Sequence, residues 1–96
     1  MDKNLIPLED LYKVIKEKDL NNYISSYGYS KRKNKKYYVI LKDDKVVHFG
    51  DIRYSDYLTN KDNNKRSNFR TRFKKLYEKN KSNLNAPIYW SFNILW

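Results

Sequence analysis

Ninety-six residues with no cysteine, one histidine and a formal net charge of +10 exclude a good deal. The length holds a single core, the missing thiols rule out disulfides and thiolate metal sites, and a lone histidine argues against a histidine-based zinc site. No apolar run approaches the ~18–20 residues that span a bilayer, and the first residues lack the apolar stretch of a secretion signal.

One sixth of the chain is aromatic, so rings rather than aliphatic side chains must supply much of the interior. That richness also argues against disorder, despite 33% charged residues. Charge rises along the chain. Residues 1–22 hold four basic and five acidic side chains, residues 23–60 eight and four, and residues 61–96 nine and two. A gradient of this kind suits a polyanionic partner.

The stretch "IPLEDLYKVIKEKDL" predicts an N-terminal helix: Pro7 suits its start, Glu9 and Asp10 suit its positive end, and Leu8, Leu11, Val14 and Ile15 share a face. Tyr23, Ile24 and Tyr27 fit a second short helix, which makes residues 1–30 a helical part. Gly28 and the charge run to Lys36 read as a linker. "KYYVILKDDKVVHFG" predicts a β-hairpin. With Asp43 and Asp44 at its tip, Val39 faces His48 and Ile40 faces Val47, so that Val39, Leu41, Val46 and His48 share one side.

"DNNKRSNFRTRFKKLYEKNK" predicts a basic amphipathic helix with Phe69, Phe73, Leu76 and Tyr77 inward. Asp62, Asn63 or Asn64 caps its start. Arg66, Arg70 and Lys74 form one flank; Arg72, Lys75 and Lys79 form the other. The uncharged end, "NLNAPIYWSFNILW", either completes the core or docks on a partner. The expected whole is a small single α+β domain over residues 1–96, with hairpin, basic helix and aromatic tail in residues 36–96.

Functional candidates fall into three groups. Lys31, Arg32, Lys33, Lys35 and Lys36, with Arg66, Arg70, Arg72, Lys74 and Lys75, are candidate phosphate contacts, DNA being favoured over RNA. No base-reading motif is present, so binding independent of sequence is expected. Tyr89, Trp90, Phe92 and Trp96 are candidate partner anchors. His48, Gly50, Asp51, Arg53 and Asp56 offer the parts of a small metal-dependent nuclease, but their spacing defines no nuclease class. They read better as a structural joint in which Asp51 caps, Arg53 bridges and Gly50 permits a bend. The expectation is therefore a protein that is not an enzyme and holds no cofactor or metal.

The segments "KYYVILKDDKVVHFGD", "RYSDYLTNKD", "KRSNFRTRF" and "YWSFNILW" resemble a family of small basic proteins of unknown function encoded by large DNA (giant) viruses and some phages. The shared pattern is His48-Phe49-Gly50, Tyr54-Ser55-Asp56-Tyr57, Lys61-Asp62, then Arg66, Arg70 and Arg72, and a Trp-rich end. Phe73 stands where that pattern often has a histidine. The resemblance covers residues 36–96 and implies a viral protein of the virion or of the virus factory in the host cytoplasm; it supplies no mechanism. The leading expectation is a nucleic-acid-binding protein associated with the viral genome or virion. The alternative is a minor virion or scaffold protein that meets other virion proteins through its aromatic C-terminus, without membrane contact.

Overall fold

A computed structural model describes residues 2–96. Helix α1, Leu8–Glu17, begins after Pro7, whose carbonyl accepts from the Asp10 and Leu11 amides. It ends where Asp19 turns left-handed at φ 56°, so that Leu20 N–H reaches the Ile15 carbonyl and Asp19 N–H the Lys16 carbonyl. That closure swings Leu20 back into the core beside Ile15.

A single 3₁₀ turn, Asn21–Tyr23, leads not into a second helix but into strand β1, Ile24–Tyr29. Ile24 pairs with Leu41 and Tyr27 with Val39, both on the core side, although Ile24 and Tyr27 stand three positions apart. A bulge between Ile24 and Ser26 absorbs the odd spacing, and the same spacing is what imitates a helix in the sequence. Residues 30–34 are a hairpin loop rather than a linker: Ser30 N–H reaches across it to the Lys36 carbonyl.

Strands β2 (Lys35–Leu41) and β3 (Val46–Asp51) complete a three-stranded antiparallel sheet in the order β1-β2-β3. The register differs by one residue from that of a two-residue turn. Leu41 N–H bonds the Lys45 carbonyl, leaving a three-residue loop that ends with Asp44 left-handed at φ 70°. Tyr38 therefore opposes His48, and Val39 opposes Val47. A one-residue slip exchanges the faces. Tyr37, Val39, Leu41, Val47 and Phe49 are buried, while Tyr38, Ile40, Val46 and His48 lie on the other side.

Past β3 the chain makes two short capped entries into helix. Asp56 caps α2 (Tyr57–Asn60) and Asp62 caps α3 (Asn63–Asn80), with Lys61 left-handed between them. Helix α4, Pro87–Trp90, runs on as a π-helical stretch, Ser91–Leu95. Trp90, Phe92, Ile94 and Leu95 are buried, Trp90 completely. This end of the chain is core, joining α1 on the inner side of the sheet.

Candidate partner-binding cleft

Helix α3 has no buried residue; it lies on the C-terminal stretch through rings. Phe69 stacks on Trp96 at 4.5 Å and Tyr77 on Phe92 at 4.0 Å. Phe73 meets Phe69 at 4.6 Å, whereas Leu76, expected inward, is 46% exposed. Arginines clamp the same contact. Arg66 Nε donates to the Trp96 carbonyl at 2.7 Å and its guanidinium covers Tyr57. Arg70 sits 4.2 Å over the Phe92 ring and donates to the Phe92 carbonyl. Burial, with Arg66 beside it, lowers the proton affinity of Arg70.

Three of the ten candidate phosphate contacts therefore work inside the molecule. Arg66 and Arg70 are two, held by carbonyls and rings. Lys36 is the third: it is 2% exposed, and its Nζ donates to Asp56 Oδ2 at 2.6 Å. It stands in the strand beside Gly50, where a folded β3–α2 segment covers it. Lys31, Arg32 and Lys33 are exposed on the β1–β2 loop, Lys35 is half-buried, and Arg72, Lys74 and Lys75 are exposed on α3. At 100° per residue, Lys65, Arg72, Lys75 and Lys79 fall within an arc of about 80°, away from Lys74. Glu78 lies off that arc and pairs with Lys81 at 3.4 Å.

The joint residues bond within the fold, and Asp56 rather than the expected Asp51 supplies the helix cap, Asp51 bonding Arg53 instead. Asp56 Oδ1 accepts from the Leu58 and Thr59 amides while Thr59 Oγ1 accepts from the Asp56 amide, a reciprocal cap. Asp51 grips Arg53 through both oxygens, at 3.0 and 2.8 Å, which holds its carboxyl down at about 2. Gly50 bends left-handed at φ 81°, and a side chain there would meet Leu95 and Lys36. His48 shares a 2.8 Å hydrogen bond with Ser30 Oγ. Partial burial first, then Arg32 and Lys35, lower the imidazole's proton affinity below its ordinary 6.5. His48, Asp51 and Asp56 thus serve three different partners. Among the described residues no group of three or more His, Asp or Glu side chains is arranged to hold a metal ion.

Between the β3–α2 segment, α3 and the C-terminal stretch opens a cleft of about 750 Å³. Phe69, Phe73, Pro87, Ile88, Leu95 and Trp96 supply its apolar lining. Asn68, Ser55 and Ser91 add hydrogen-bonding groups, and Lys35, Lys65 and Arg72 bring positive charge. The buried Lys36–Asp56 pair also borders it. Of the four aromatic anchors, Trp90 and Phe92 are interior, Tyr89 is half-buried against Trp90, and Trp96 lines the cleft. Sequence reasoning missed Lys65, Asn68, Ile88 and Ser91. Only the seven-residue spacing of Lys65 and Arg72, two helical turns, hints at their shared side.

Residues 29–73, from the end of β1 to the middle of α3, match the model of a family described as a family of unknown function (DUF5754). No curated protein and no solved structure matches the chain. Over just under half its length the chain is similar to that family, and the matched stretch contains Lys35, Gly50, Tyr54, Lys65, Phe69, Arg72 and Phe73 of the cleft.

Proposed function

We propose that the protein is a non-catalytic assembly protein that receives a segment of another protein in this cleft. The observation that carries the reading is the cleft's make-up: the aromatic C-terminus, instead of trailing free, folds against α3 and leaves an apolar lining edged by lysine and arginine. Apolar centre and polar edge are the anatomy of a protein interface, and the volume lies within the range of sites that take a compact group. The resemblance to small basic proteins of large DNA viruses makes a virion a natural setting for such a role.

Deleting the C-terminal stretch would remove core residues, so the test uses surface-lining positions. Ile88→Asp combined with Phe73→Ala should abolish stoichiometric co-purification of a partner from cells that naturally make the protein, with the thermal transition retained. An unchanged set of co-purifying proteins would defeat the reading.

One observation favours a second reading, a polyanion such as DNA held along α3: Lys65, Arg72, Lys75 and Lys79 have no acid on their arc and no ion pair among the described residues. Mixed-sequence duplex DNA at rising salt separates the two readings, because only the second requires duplex binding.

A further inference from the structure

We propose that the open face of the sheet is a binding platform for single-stranded nucleic acid, with Tyr38 and His48 stacking on bases and Arg32 and Lys35 meeting phosphates. The proposal concerns a different surface, which shares only Lys35 with the cleft, and rests on neither reading above.

Alternation along β2 and β3 puts Tyr38, Ile40, Val46 and His48 on the side opposite the core. There Val46 is 50% exposed and the other three are half-buried, whereas their inward neighbours are at most 4% exposed. Both side chains reach sideways across the sheet towards β1, with their ring planes 52° apart. His48 belongs to β3, yet its Nδ1 bonds Ser30 just past the end of β1, so the imidazole reaches over the intervening β2. Tyr38 leans the same way, over Gly28 of β1, its cross-strand partner. A side chain at Gly28 would come within 2.7–2.9 Å of the phenol ring and hydroxyl, so the glycine makes room for a ring to lie there. The two ring centroids are 6.0 Å apart. Ile40 and Val46, themselves paired, extend the apolar surface.

Cations border one end of this surface. Arg32 and Lys35 are close enough to disfavour protonation of His48, and Lys31 and Lys33 share the same loop. None of the four enters an ion pair among the described residues. Aromatic rings beside unpaired cations are the physical requirement for holding bases without reading them. A duplex conceals the faces of its bases, so only an unpaired strand can use the rings. An acidic peptide would use the cations but would gain nothing particular from two aromatic rings.

The test is fluorescence anisotropy with end-labelled oligo(dT) and oligo(U) of about 15 nucleotides, beside a duplex of equal length, at low and moderate salt. Single strands should bind at least roughly tenfold tighter than the duplex. Tyr38→Ala and His48→Ala should each weaken that binding by about tenfold. Because Tyr38 covers Gly28, Tyr38→Leu, which retains bulk without a ring, serves as the fold-preserving variant and should lose as much. Removing Arg32 and Lys35 together should make the log–log salt dependence shallower by about one to two. Equal or tighter duplex binding, unaltered affinity in Tyr38→Leu and His48→Ala, no binding at low salt, or displacement by poly-glutamate as effective as by oligo(dT) would each overturn the proposal.

Discussion

Asp56 serves two ends of this structure at once. One of its oxygens caps α2 and the other neutralises Lys36 in a site that water does not reach. Removing the carboxylate strands an ammonium in the interior, so Asp56→Ala should destabilise by about 3–5 kcal/mol in urea unfolding. Adding Lys36→Met should restore part of the loss, since an apolar side chain needs no partner; a double-mutant cycle measures the coupling. Tyr37 gives a second residue-level expectation. Burial pushes its hydroxyl up from 10.0 to about 12, opposed by the hydrogen bond donated from the Ile6 amide. Between those values the unfolded chain releases the proton and the folded chain keeps it, so stability must fall as pH rises through that window. The loss should be on the order of 2–3 kcal/mol, and Tyr37→Phe should flatten it relative to the parent in denaturation curves at pH 9.5 and 11.5.

Among the elements, the turn between β2 and β3 determines what the sheet shows to each side. Its left-handed Asp44 closes a three-residue loop, and the resulting register turns Val47 inward and His48 outward. Asp44→Gly suits that backbone and should stabilise by about 0.5–1 kcal/mol by chemical denaturation, with no change of register. The alternating apolar runs of β2 and β3 were legible in the sequence; their offset was not, because Asp-Asp permits more than one loop length. Strand β1 was hidden for a different reason. Its bulge places Ile24 and Tyr27 on one face at a helical spacing. In α3 the ring stripe at 69, 73 and 77 was legible, but the choice of which arginines face inward was not. Arg66 and Arg70 are internal because the carbonyls of Phe92 and Trp96 lie on their flank.

At the scale of the whole molecule, the C-terminal stretch and the charge distribution decide behaviour. Trp90, Ile94 and Leu95 belong to the same core as Leu11, Val39 and Phe49. A chain ending at residue 85 should therefore lose cooperative thermal unfolding altogether, as read by calorimetry, rather than merely losing a contact. The net charge of +10 survives the internal use of Lys36, Arg66 and Arg70 only in part as free surface cations. If four α3 cations meet a duplex, the affinity should fall with salt at a log–log slope of roughly −3 to −4, and Lys65→Ala with Arg72→Ala should lower that slope by about two.

The sequence alone determined the class of fold, the positions of α1 and α3, the two apolar strands and the positive second half. Those features follow from local periodicity, turn chemistry and side-chain charge, which neighbours in the chain suffice to express. Only the tertiary structure decided the register, the fate of individual cations and the existence of a cleft and an open sheet face. A lysine in a strand and a lysine in a loop are alike until a carboxylate twenty residues away folds over one of them, as Asp56 does over Lys36.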